Sequence, residues 1–315
     1  MRKNFFIRQY ILAVFLLFLC GCAPAQEKAG QISTEETELF QNDEPIDTEK
    51  YEITATMTES GTQQDQRLRF VDAWGEWFET TIDPELKMHK YDWNCLKRDE
   101  EDICYEGDSY YTIKKGIDVS HHQNLINWEK VRAAGYEFAF IRMVYRGYGE
   151  EGSLNLDRNY YDNILQAKAA GLKVGVYVFS QAVNESEAVE EAEMVLKHLN
   201  GISLDLPVAY DPELIRDDEA RTDDVTGEQF TKNTIAFCEK IKEADYEPMI
   251  YSNMYWEAFL FDLKELQDYP VWYADYEMIP QTPYEFTFWQ YSESGHVDGI
   301  EGATDLNVWF VKNSE

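Results

Sequence analysis

Asp211 and Glu213 stand two positions apart at the end of an apolar run, Leu206-Pro207-Val208-Ala209-Tyr210. Side chains alternate faces along an extended strand, so both carboxyls point to one side where the strand runs out. Pro212 between them donates no backbone hydrogen bond and suits the frayed end of a strand better than its middle. Carboxyls so placed can protonate a leaving oxygen while stabilising positive charge on a sugar ring. A D-x-E triplet also arises by chance in a chain with 60 Asp plus Glu. The pair gains weight only if other polar residues gather with it.

The elements around the pair say where such residues should be. From Lys114 onward, apolar runs that read as strands alternate with amphipathic runs that read as helices. Strands are expected at 116–120, 138–144, 173–179, the D-x-E segment, 248–253, 271–276, 286–291 and near 306–310. Helices are expected at 128–134, 157–170, 184–199, 227–244 and 255–261, the second starting on Asp157 as its acidic cap and stopping at Gly171. This alternation implies a parallel sheet with crossover helices. Nearly eight strands in roughly 200 residues predict an α/β fold, an irregular (β/α) barrel of the TIM type with some helices missing.

In such barrels reactive groups collect at the carboxyl ends of the strands. Here Asp118 closes the first strand, Asp211 and Glu213 the fourth, Tyr251 and Asn253 the fifth, Asp275 the sixth and Gln290 the seventh. Asp305 lies just before the last strand, and Tyr177 sits inside the third near its end. Each has an ordinary structural alternative: strand-end Asp is a common cap or turn residue, Asp275 included, and the tyrosines can be core. Several carboxylates on one rim are harder to explain that way, because like charges repel unless function uses them.

The rest of the chain bounds the class. A net charge of −32 excludes nucleic acid and anionic lipid as partners, since phosphates would be repelled. The aromatic fraction is 15%, and aromatic rings can fill a core or stack on sugars. Arg2, Lys3 and Arg8 precede an apolar stretch, 11–19, too short to span a bilayer. Leu19-Cys20-Gly21-Cys22 then resembles a bacterial lipobox, which makes 1–22 a lipoprotein signal with Cys22 as the lipidated residue. Residues 23–50 read as a flexible acidic tether, and 51–113 as a β-rich extension with runs at 54–57, 68–71 and 77–81. Residues 114–312 form the barrel. Cys95 and Cys104 are close enough in sequence to bridge in an oxidising compartment, and Cys238 reads as a buried small hydrophobe.

Gly116-Ile117-Asp118-Val119-Ser120, followed by Gln123 and Asn127-Trp128, resembles the opening of glycoside hydrolase family 25, the Chalaropsis-type lysozymes. Phe138 to Arg142, Ala169 to Tyr177, Pro207 to Glu213, Pro248 to Ser252, Val271 to Tyr276, Phe288 to Ser292, Gly295 to Gly302 and Asp305-Leu306-Asn307 keep that family's order. The resemblance covers about 114–312. It implies cleavage of the β-1,4 bond between N-acetylmuramic acid and N-acetylglucosamine in peptidoglycan. Glu213 is then the general acid, and Asp211 the nucleophile or the support of a 2-acetamido group that attacks. Asp118 is a further catalytic acid and Asp305 another rim acid, with Tyr177, Tyr251, Asp275 and Gln290 in substrate binding. Val178, and Tyr145-Arg146-Gly147-Tyr148-Gly149 after the second strand, depart from the family's pattern.

Burial and neighbouring carboxylates, Asp211 foremost, are expected to raise the pKa of Glu213. The mechanism needs no metal or cofactor. The expected partner is a peptidoglycan glycan strand, met by a monomer held to the outer face of the bacterial cytoplasmic membrane by its lipid alone. Two alternatives are weaker. A peptidoglycan-binding lipoprotein that no longer cuts has no reason to keep Asp118, Asp211 and Glu213 together. A metal-dependent deacetylase needs His at metal spacing, whereas His121 and His122 are adjacent and the next is His198. The adjacent pair reads instead as lining the rim loop after the first strand.

Overall fold

The computed structural model describes residues 66–99 and 102–313. The signal segment with Cys22, the tether and residues 51–65 of the extension, including its expected run at 54–57, lie outside the described residues.

The extension contributes two antiparallel hairpins, β1 (Arg67–Val71) with β2 (Trp77–Thr81), and β3 (Leu96–Asp99) with β4 (Asp102–Tyr105). Its aromatic side chains grip the main body. Phe78 meets Tyr255 and Phe259 edge-on at 5.2 and 5.8 Å, and Tyr91 stacks on Phe310 at 4.0 Å. Leu68, Phe70, Leu96 and Ile103 belong to the same apolar cluster as the outer layer of the barrel. Cys95 and Cys104 are free thiols. The β3–β4 register sets Cys104 opposite Lys97 and leaves Cys95 bonded through its carbonyl to Glu106 N–H.

The main body is a closed barrel. Its strands are β5 (Tyr111–Val119), β6 (Phe138–Arg146), β8 (Lys173–Ser180), β9 (Val208–Pro212), β10 (Pro248–Asn253), β11 (Val271–Ala274), β12 (Phe288–Gly295) and β13 (Thr304–Lys312), and β5–β6 pairing completes the ring. The short β7 (Leu154–Leu156) adds only to β6. The ring begins at Tyr111, three residues earlier than the composition change at Lys114 suggests, because Tyr111 pairs with Lys312. The expectation of an all-parallel ring needs correction: β13 runs antiparallel to both β12 and β5. A parallel crossover takes a dozen or more residues, and the link from Gly295 to Thr304 is too short for one.

Helices cover the outside: α1 (Trp128–Ala133), α2 (Tyr160–Ala169), α3 (Glu185–Leu199), α4 (Gly227–Lys242), α5 (Met254–Phe259) and α6 (Leu263–Leu266). Among the described residues no helix joins β11 to β12 or β12 to β13. Under α3 the acids are matched by cations. Glu191 accepts from Arg146 Nε (2.7 Å) and Ser180 Oγ (2.7 Å), and Arg221 forks onto Glu187 at 2.6 and 2.8 Å.

The inside of the barrel is layered by the two-residue period of its strands. Phe138, Phe140, Ala209, Met249, Trp272, Phe288 and Trp309 fill the floor. Gly116 and Gly175 leave the space those rings need, since a Cβ would sit 2.3 Å from the Phe138 ring at Gly116 and 2.4 Å from Phe140 at Gly175. One period further up, the same rows turn polar: Gly116 leads to Asp118, Phe140 to Arg142, Ala209 to Asp211, Phe288 to Gln290, and Trp309 back to Asn307 and Asp305.

Candidate active site

That polar layer opens into a cleft of about 730 Å³ at the carboxyl ends of the parallel strands. Asp118 on β5, Tyr177 on β8, Asp211 at the end of β9, Tyr251 on β10 and Gln290 on β12 all line it. So do Glu213 just past β9 and Asp275 just past β11. Asp305 joins them because β13 runs backwards: its starting end lies at the rim, where Asp305 is the register partner of Asp118. The structure thus brings together these eight side chains, and Asn253 with them, as the strand ends suggest.

Asp118 sits in an amide clamp. Gln290 Nε2 and Asn307 Nδ2 each donate to its Oδ2 at 2.8 Å. Gln290 is aimed by Tyr251 and Tyr276, whose hydroxyls donate to its Oε1 at 2.9 and 3.0 Å, and Asn307 by Trp272 Nε1 at 2.8 Å. Burial raises the pKa of Asp118 against the pull of those donors. Burial, then the charge of Asp118, pushes Asp305 up to about 10. Tyr251 and Gln290 are therefore tied inward to an acid, and Gln290 has both ends of its amide occupied.

Asp211 and Glu213 are hydrogen-bonded to each other. The buried Oδ1 of Asp211 has no hydrogen-bond partner among the described residues. Burial, then the charges of Glu213 and Asp118, drives Asp211 well above the ordinary carboxylate range. Burial and Asp118 push Glu213 up to about 7, while the bond from Asp211 pulls it down. The expected ranking of causes is corrected here: Asp118, not Asp211, is the neighbour that raises Glu213. The two sites titrate as one unit. Gln181 fixes the turn beneath them by donating from Nε2 to the Glu213 carbonyl at 2.6 Å.

Arg142 is the cation of the cleft, and its charge favours the ionised forms of both Asp211 and Glu213. Its signal in the sequence was a lone charge in an apolar strand. Asp157 is not the helix cap expected of it. Its Oδ2 accepts from Arg142 Nε and Nη2, both at 3.1 Å, and from His121 N–H at 2.9 Å. The helix begins three residues later, at Tyr160. His122 lines the cleft and His121 stacks beside it, turned toward Asp157.

Asp275 accepts from Glu277 N–H, Gln281 N–H, Gln281 Nε2 and Tyr273 Oη, so its carboxylate shapes the loop after β11. Val178 is wholly buried outside the ring, and Arg146 is held under α3. Neither departure from the family pattern reaches the cleft. Among the described residues no group of three or more His, Cys, Asp or Glu is placed to hold a metal ion.

Residues 117–300 match the family described as Glycosyl hydrolases family 25. The chain is 30% identical over 196 residues to the autolytic lysozyme of Clostridium acetobutylicum, covering 61% of this chain and 55% of that protein. It is 27% identical over 214 residues to lysozyme M1 of Streptomyces globisporus, covering 61% and 66%. The matched segments thus span little more than half to about two thirds of those relatives' lengths. In fold it is similar to the modular autolysin LytC from Streptococcus pneumoniae, solved with a synthetic peptidoglycan ligand (TM-score 0.56, 22% identity, 77% of this chain and 56% of that one). It is also similar to the Clostridium perfringens spore cortex lytic enzyme SleM (TM-score 0.54, 21% identity, 62% and 67%).

Proposed function

The chain belongs to glycosyl hydrolases family 25, and from that premise we propose that it hydrolyses peptidoglycan as a muramidase, at the β-1,4 bond between N-acetylmuramic acid and N-acetylglucosamine. The observation that carries the reading is the pair Asp211 and Glu213, side by side with Asp118 in an open cleft, the two aspartates buried. A solved relative of like fold binds a synthetic peptidoglycan ligand, and curated relatives are lysozymes.

In this reading Glu213 gives its proton to the bridging oxygen. A group that holds a proton up to about pH 7 is suited to that task. Asp211 sits against the 2-acetamido group, which attacks the anomeric carbon as the glycosidic bond breaks. Carboxyls side by side leave no room between them for the water of an inverting site, so the course is a retaining one, with the acetamido group taken as the nucleophile. Asp118 keeps the charge that stabilises the oxocarbenium-like transition state. Water then opens the intermediate, with Glu213 taking back a proton.

Purified peptidoglycan digested by the enzyme, then reduced with borohydride, tests the assignment. Reduced muramic acid is the expected product, and proton NMR of the digest before reduction should show the new reducing end with its anomeric configuration retained. Reduced glucosamine, or inversion, would overturn the bond or the mechanism. The lipobox supports export and attachment through Cys22. Palmitate labelling that survives Cys22→Ala would refute that attachment.

A further inference from the structure

We propose that the β1–β2 turn adds a glycan subsite to the catalytic cleft, with Trp74 as the platform on which a distant sugar ring lies. This rests on the muramidase reading and extends it to a part of the chain outside the family match, which begins at residue 117.

The turn from Val71 to Gly75 forms a wall of the same cleft that holds Asp211 and Glu213. Trp74 is 53% exposed. One face of its ring is covered by the Arg216 guanidinium, 3.9 Å from the ring centroid. The remaining surface is flat, apolar and open, which suits the C–H face of a pyranose.

The platform is built before any ligand arrives. Arg216 is pinned by Asp72 at 3.1 Å and Glu76 at 3.5 Å. Asp72 Oδ1 accepts from the backbone N–H groups of Trp74 and Glu76 at 3.0 and 2.9 Å. Gly75 takes φ +82, a left-handed turn position that glycine adopts freely. Gln281 binds both the N–H and the carbonyl of Val71, at 2.8 and 2.9 Å, and so ties the turn to the loop that Asp275 organises. A preordered aromatic face loses little conformational freedom on binding. The acidic surroundings offer acceptors for sugar hydroxyls.

Trp77 supplies the control. It lies on the same hairpin, is 50% exposed and has Arg69 4.4 Å above its ring, but it does not line the cleft. Binding is measured by calorimetry in a Glu213→Gln background, so that nothing is cleaved. The probe is soluble, peptide-free glycan strands from peptidoglycan, sorted by length. Trp74→Ala should weaken binding of long strands about tenfold, the size of one lost aromatic anchor, and affect the shortest bound fragment much less. Trp77→Ala should bind as the parent does. Equal binding with and without Trp74, or equal losses in both variants, overturns the subsite. Absence of turnover by the wild-type enzyme would instead overturn the muramidase reading, and the binding comparison is independent of it.

Discussion

Two groups of acids, each built around buried carboxyls, lie within one barrel and are stabilised in opposite ways. Outside the ring, under α3, Glu187 and Glu191 face Arg146 and Arg221. Burial pushes Glu187 up, yet the Arg221 fork and the Val183 N–H hold it below the ordinary value. Burial raises Glu191 to about 7 against the pull of Ser180 and Arg146. In the cleft, Asp118, Asp211, Glu213 and Asp305 face one another, with amides and a single arginine beside them, and every one of them is raised. In these two groups the acids under α3 are given cations, whereas those proposed to carry and release a proton are left with other acids. Burial alone does not distinguish the two groups; the partners do.

The sharpest test of that contrast is Glu213→Gln. It should cut kcat by about a thousandfold, within the usual range for loss of a general acid, while leaving the thermal unfolding transition in place. Turnover within tenfold of wild type would move the proton donor elsewhere. Next in size is Arg146→Met, which strands Glu191 and should destabilise the fold by about 3–5 kcal/mol in urea unfolding. Adding Glu191→Leu should recover much of the loss, and failure to recover it would deny that the pair is the cause.

Asp118→Asn should do the opposite of Arg146→Met. Relief of like-charge repulsion should raise Tm by about 2–4 °C, the equivalent of roughly 1 kcal/mol, as activity falls. A lower Tm would mean that Asp118 holds the barrel rather than taxing it. The smallest effect is on pH. Glu213 is raised, so its protonated form is fully present below the ordinary carboxylate range and lost as pH rises through about 7. The alkaline limb of kcat/KM should fall there. The raised cleft acids give stability the same sign: it is present at low pH and lost as pH climbs through about 7 and toward about 10, the values for Glu213 and Asp305. Asp118→Asn should flatten that decline.

The sequence shows most of the ring because strand ends carry a visible change from apolar to polar at a spacing of two. The residues that close on the cleft by a different route were harder to read. Nothing in Asp305-Leu306-Asn307 itself shows that β13 runs backwards; only the short link after Gly295 carries that information. Asn307 was read as family pattern and not as the clamp on Asp118, since its partner is almost two hundred positions away. Asp157 stands where a helix cap belongs, and only the fold brings Arg142 within reach of it. The β3–β4 hairpin has charged residues where alternation would be needed to see it. Trp74 carries no signal of its own in the sequence, because exposure and a shared cleft wall are properties of packing and not of composition.

The seam between β13 and β5 makes the cleft depend on the last strand of the ring. Residues made nearly two hundred positions apart must zip together before the ring can shut. On the ribosome, a nascent chain that has not yet released 304–312 carries Glu213 but lacks the partner strand of Asp118. Without that strand both β5 and β12 are left with an unpaired edge, and Asp118 loses the Asn307 half of its clamp.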